Sequence, residues 1–122
     1  MVQENWALSL YIGTYTKGDS RGIYQVQAHG ETGAMRVIRT FSGLENPSYL
    51  AVHDRKWLFA VSETAAFGST KGGYISAMTI QPQSGKLTLI NQQPTLGSSP
   101  CYVSILGGHT VFIANYVDGN VT

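Results

Sequence analysis

Along this chain the apolar residues fall in short runs, each cut off by Gly, Pro, Asp or Ser. No segment sustains the i, i+3, i+4 spacing that would gather them on one face of a helix, so the pattern predicts strands joined by turns. The runs also recur in register. Asn46-Pro47-Ser48-Tyr49-Leu50-Ala51-Val52 returns 53 residues later as Ser99-Pro100-Cys101-Tyr102-Val103-Ser104-Ile105, with Pro, Tyr and the apolar positions in step. Leu58-Phe59-Ala60-Val61-Ser62-Glu63 returns at the same offset as Val111-Phe112-Ile113-Ala114-Asn115-Tyr116. An earlier copy of that second element, Leu10-Tyr11-Ile12-Gly13-Thr14-Tyr15, precedes it by 48 residues.

A third element, Gly22-Ile23-Tyr24-Gln25-Val26-Gln27, matches Gly73-Tyr74-Ile75-Ser76-Ala77-Met78. Each copy runs into a turn, Glu31-Thr32-Gly33-Ala34-Met35 and Gln83-Ser84-Gly85-Lys86-Leu87, and then into a fourth strand. Four strands in a unit of about 50 residues is the signature of a β-propeller blade. The fold class expected is therefore all-β, with blades of four antiparallel strands. A single antiparallel sandwich is the alternative, but it gives no reason for three landmarks to keep register.

With strands lettered A to D from the channel outward, residues 7–42 supply B, C and D of one blade. A complete blade occupies 46–96. A third begins at 99 and runs to 122, where Gly119-Asn120-Val121-Thr122 reads as the opening of its C strand. This register gives about two and a half blades, and the chain is expected to be part of a larger ring. Remaining blades, or another chain, would then cover the edges left open.

Composition narrows the partners. Only 12% of the residues are charged, against roughly 25% in ordinary soluble domains, and the net charge is +1. The basic residues form no stripe, which argues against nucleic acid or an anionic membrane as partner. The one cysteine excludes an intrachain disulfide. No apolar run approaches the roughly 20 residues of a membrane span, and the first residues lack the pattern of a signal peptide. The expectation is a cytoplasmic protein.

Taken together, Tyr11-Ile12-Gly13-Thr14-Tyr15-Thr16, Gly22-Ile23-Tyr24, Glu31-Thr32-Gly33, Asn46-Pro47-Ser48-Tyr49-Leu50-Ala51, Ser84-Gly85-Lys86-Leu87, Ser99-Pro100-Cys101 and Ala114-Asn115-Tyr116 resemble the lactonase seven-bladed β-propeller family. The resemblance implies a hydrolase, the family's best-known activity being conversion of 6-phosphoglucono-δ-lactone to 6-phosphogluconate in the pentose phosphate route. It also admits a muconate-type lactonising enzyme; the alternative from another class is a non-catalytic propeller that binds a ligand or partner through its loop face. The partner implied is a small sugar lactone, and no cofactor is implied. The resemblance places the family's histidine and arginines in later blades, so the catalytic residues are expected beyond residue 122. Many relatives carry His after the Pro-Cys pair, where this chain has Tyr102.

Alternating strand direction sends the D-to-A and B-to-C loops to one face and the A-to-B and C-to-D turns to the other. The first face is expected to hold Tyr15, Asn46, Glu63, Cys101, Tyr102 and Tyr116, with Lys17, Arg21 and Lys71 in its loops. Lactone hydrolysis requires a base to activate water and donors for the oxyanion, with no metal obligatory. His29, His53 and His109 all fall in turns of the opposite face.

Glu63 is the local candidate for a polar site residue, against the simpler reading of a solvated or N–H-capping carboxylate. Asn115 and Tyr116 are candidate donors to a sugar hydroxyl or lactone carbonyl, or else pins between neighbouring strands. Tyr102 and Lys71 are further substrate-binding candidates, and Lys17, Arg21 and Lys71 are the cations that a substrate phosphate would seek. Gly68-Ser69-Thr70-Lys71-Gly72-Gly73 lacks the order of a phosphate-binding loop, and no helix follows it. Cys101 shares its face with no histidine and reads as a small buried residue. Trp6 and Trp57 read as packing aromatics, and no residue group has metal-ligand spacing.

Overall fold

A computed structural model describes residues 5–122. Among them are twelve strands and no helix: β1 (Leu8–Ile12), β2 (Gly22–Ala28), β3 (Met35–Ser42), β4 (Pro47–His53), β5 (Trp57–Ser62), β6 (Ala66–Phe67), β7 (Thr70–Lys71), β8 (Tyr74–Ile80), β9 (Leu87–Pro94), β10 (Pro100–Leu106), β11 (Thr110–Asn115) and β12 (Asn120–Val121). They form three antiparallel meanders, β1-β2-β3, β4-β5-β8-β9 and β10-β11-β12, with β6 and β7 as a separate small hairpin. The architecture is all-β and propeller-like.

The sequence repeat is written into the backbone. Asn46 and Ser99 both take positive φ, 44° and 56°. The carbonyl of each accepts a hydrogen bond from the residue after the neighbouring strand, Glu63 N–H and Tyr116 N–H, both at 3.0 Å. Bulges follow at Pro47/Tyr49 and Pro100/Tyr102. The β4–β5 and β10–β11 turns each need two successive positive φ values, which Asp54 and Arg55 supply in the first and Gly107 and Gly108 in the second. Two positive φ values in a row match the right-handed twist of a hairpin.

The middle sheet is packed on both faces, which explains why Trp57-Leu58-Phe59-Ala60-Val61 is a continuous apolar run where a half-exposed strand would alternate. Leu58 and Ala60 join Ile23, Leu44, Tyr74, Met78 and Leu87 in a core against the first sheet. Val61 turns the other way, to Val103 and Ile113 of the third sheet. Fully buried side chains of this size, such as Leu58, Met78 and Val61, each contribute about 1.5–3 kcal/mol.

Polar contacts complete the first of these interfaces. The β8–β9 turn reaches across to the first sheet, where Ser84 O accepts from Gln25 Nε2 at 2.8 Å and from Arg39 Nη1 at 3.0 Å. Gly85 O accepts from Tyr11 Oη at 2.5 Å. Burial at this contact raises the Tyr11 pKa, although the Arg39 charge opposes it. The second interface is closest at the inner strands, where β10 packs on β4 and β5. There the rings of Tyr49 and Tyr102 meet with centroids 4.8 Å apart.

Two details depart from the sequence reading. Lys71 stands in β7, paired with Ala66, where a loop was expected. Trp57 is 37% exposed at the end of its sheet, stacked on His53 at 6.1 Å. A six-residue strand buried in its middle still leaves its first residue at the rim.

Candidate functional site

The ladder registers assign the ends of the strands. Ile12 pairs with Tyr24, Pro47 with Ser62, Ser62 with Tyr74 and Pro100 with Asn115, which puts the segments 13–21, 43–48, 63–73, 95–101 and 115–119 on one face. His53 pairs with Trp57 at the other end of the same sheet. His29 and His109 lie in the turns at that same far end. His53 Nε2 lies 3.3 Å from Asp54 Oδ2, and a Cβ on Gly108 would come within 2.5 Å of that nitrogen, so the two hairpin turns touch.

On the near face the side chains meet at Glu63. Its Oε2 accepts from Tyr15 Oη at 2.7 Å and from Ser48 Oγ at 2.7 Å, which joins the first two sheets through one carboxylate oxygen. The bond to Glu63 is the leading cause of a raised Tyr15 pKa, because a phenol that donates to a carboxylate resists losing its proton. Tyr15 is nevertheless 56% exposed, with its ring open to solvent. Beneath this group lies buried Asn46. Its Oδ1 accepts from Thr16 N at 2.9 Å and Thr16 Oγ1 at 3.3 Å, and its Nδ2 donates to Glu63 O at 3.3 Å. Asn46 therefore fixes both the loop that carries Tyr15 and the backbone that carries Glu63.

The other predicted residues fall in different surroundings. Asn115 is buried, and its Nδ2 donates to Asn120 Oδ1 and Thr122 Oγ1, both at 2.9 Å. Those bonds tie strand ends within the third sheet. Tyr116 is 77% exposed and Tyr102 is 47% exposed, the latter against Tyr49. Lys71, Lys17 and Arg21 are exposed. Cys101 is half-buried, with Sγ 3.8 Å from Ala114 O. Trp6 lies under the Arg36 guanidinium at 4.1 Å and edge-on to His29.

Sequence reasoning placed Glu63 and Tyr15 on one face without pairing them, and did not single out Ser48. The signal was available for Tyr15. It stands 48 residues before Glu63, one repeat step, and equal positions in neighbouring repeats are neighbours in space. Among the described residues no group of three or more His, Cys, Asp or Glu could hold a metal ion.

A family model described as a lactonase seven-bladed β-propeller matches residues 9–122. The chain belongs to the lactonase seven-bladed β-propeller family. It is 38% identical over 112 residues to the 6-phosphogluconolactonase of Bacillus subtilis, an overlap of 91% of this chain and 31% of that protein. Among solved structures it superposes with a TM-score of 0.83 on a Bacteroides fragilis protein described provisionally as a 6-phosphogluconolactonase. There the identity is 33%, with 93% of this chain and 31% of the other covered. A periplasmic gluconolactonase from Pseudomonas aeruginosa gives a TM-score of 0.72 at 36% identity, covering 88% and 31% of the two chains. The chain thus spans about a third of the length of the relatives it matches. No helix among its described residues is long and apolar enough to cross a membrane.

Proposed function

We propose that the protein to which this chain belongs hydrolyses a sugar lactone, with 6-phosphoglucono-δ-lactone as substrate and 6-phosphogluconate as product. The observation that carries this reading is the 38% identity to the Bacillus subtilis 6-phosphogluconolactonase across nearly the whole chain. The reading places the protein in the cytoplasm, on the pentose phosphate route. Further blades, in this reading, cover the outer faces on which Leu8, Leu10 and Ile12 of β1 and Phe112 of β11 stand exposed.

Within such a protein this chain supplies wall and positioning more than proton transfer. Hydrolysis of the lactone calls for a base that takes a proton from water and for donors to the tetrahedral oxyanion. The three histidines here stand at the ends of the sheets away from Glu63. In this reading the base and the oxyanion donors come from the rest of the ring, and the 122-residue chain alone turns over no lactone. The misplaced histidines equally favour a second reading, a propeller that binds its ligand without reacting it. The test is hydrolysis of 6-phosphoglucono-δ-lactone by the full-length protein, with the spontaneous rate subtracted. Excess hydrolysis supports the enzyme, and none sinks it in favour of the binding propeller.

A further inference from the structure

The bonding around Glu63 restricts what can dock there. Tyr15 and Ser48 each have one hydroxyl proton, and both protons point at Glu63 Oε2. Toward a ligand these groups retain only lone pairs. Glu63 Oε1 takes no hydrogen bond among the described residues, which leaves it available as an acceptor.

Four backbone donors around them are consumed internally. Thr16 N–H goes to Asn46 Oδ1, Glu63 N–H to Asn46 O, Ser48 N–H to Asn46 O and Ser99 N–H to Thr64 O. The cluster therefore presents three acceptor oxygens and a negative charge, beside the exposed ring of Tyr15. A phosphate or carboxylate finds no donor among these three side chains. A ligand rich in hydroxyl donors, with C–H faces that can lie on an aromatic ring, matches it group for group.

We infer that Glu63, Tyr15 and Ser48 form a subsite for the vicinal hydroxyls of a polyol, and that any anionic group of the same ligand is held elsewhere. This rests on the sugar-lactone reading for its substrate class and deepens it: the subsite grips the hydroxylated body of the sugar, not its phosphate. Glu63 acts here as a binding group, with no proton transferred to or from it in the reaction. The free Oε1 accepts directly from a ligand hydroxyl, while Oε2 holds Tyr15 and Ser48 in place.

The experiment is a binding titration of the full-length protein with D-glucitol, a neutral polyol that is neither lactone nor phosphate, followed by NMR chemical shifts. It reads the subsite whether or not the protein is a lactonase. Saturable binding weakened about tenfold in Glu63→Gln, as loss of a charged hydrogen bond implies, and weakened less in Tyr15→Phe and Ser48→Ala, supports the subsite. Unchanged binding in Glu63→Gln, or no saturation by wild type at tens of millimolar, overturns it. So does Glu63-dependent binding of inorganic phosphate or of calcium ion. If the lactonase activity is present, Glu63→Gln is expected to raise KM about tenfold with kcat within about twofold. It does so to the same degree for glucono-δ-lactone and its 6-phosphate. A loss confined to kcat, with a shifted pH profile, would mark Glu63 as the base and overturn the assignment.

Discussion

Tyr15 Oη donates to Glu63 Oε2 across 2.7 Å, and the two residues stand 48 positions apart in the chain, one step of the repeat. The contact is thus made between the same place in two neighbouring sheets. It converts a sequence period into a polar cluster on the loop face, and the properties of that cluster can be measured one by one.

The Tyr15 phenol is expected to titrate above the ordinary tyrosine value, chiefly because its proton is shared with Glu63. Glu63→Gln removes that charge, and ultraviolet difference titration should show one tyrosine returning toward its ordinary pKa. The sign for stability follows. A group whose folded pKa is raised favours the folded state below its unfolded pKa, near 10, and this contribution fades as pH climbs through the folded value. The wild-type protein should lose this increment at alkaline pH, and Glu63→Gln should not.

Asn46 carries the framework under the cluster, and its loss should be costly. Asn46→Ala leaves Thr16 N–H and Glu63 O without their partner in a part-buried place, and puts Ala, which lacks asparagine's tolerance of left-handed backbone, at φ 44°. The expected loss is about 2–4 kcal/mol in urea unfolding, combining unmade hydrogen bonds with left-handed backbone strain.

Leu96 offers the opposite change. It sits at φ 60° and is 71% exposed, so its side chain adds strain and little burial. The position one repeat earlier is Gly43, also at positive φ. Leu96→Gly should raise stability by up to about 1 kcal/mol, seen as a higher denaturation midpoint at unchanged slope.

Gly97 has no room for a methyl group. A Cβ there would overlap the buried Asn115 side chain, whose Nδ2 is already committed to Asn120 and Thr122. Gly97→Ala should cost about 1–3 kcal/mol or more through overpacking. Hydrogen exchange should localise the damage to the amides of β11 and β12.

What the sequence made legible was whatever repeats. The four-strand unit could be read because turn glycines, the Pro-Tyr bulges and the apolar runs recur at a fixed offset, and the bonds from Asn46 and Ser99 recur with them. The strand directions that follow put His53 and Glu63 at opposite ends of one sheet. The β6–β7 hairpin was not legible, because two-residue strands around Gly68-Ser69 have no periodicity to detect. Nor was the burial of single residues. Cys101 is only half-buried and Trp57 reaches the rim, outcomes set by where neighbouring sheets end. Ser48 escaped notice because its copy in the next repeat is Cys101, so no pattern marked it as a partner for a carboxylate.

The most direct test is a crystal structure of the full-length protein with 6-phosphogluconate bound. The account predicts sugar hydroxyls within hydrogen-bond reach of Glu63 Oε1, Tyr15 Oη and Ser48 Oγ, with the phosphate held away from all three. A ligand seated on the face of His53 and His109, or with its phosphate against Glu63, would contradict it.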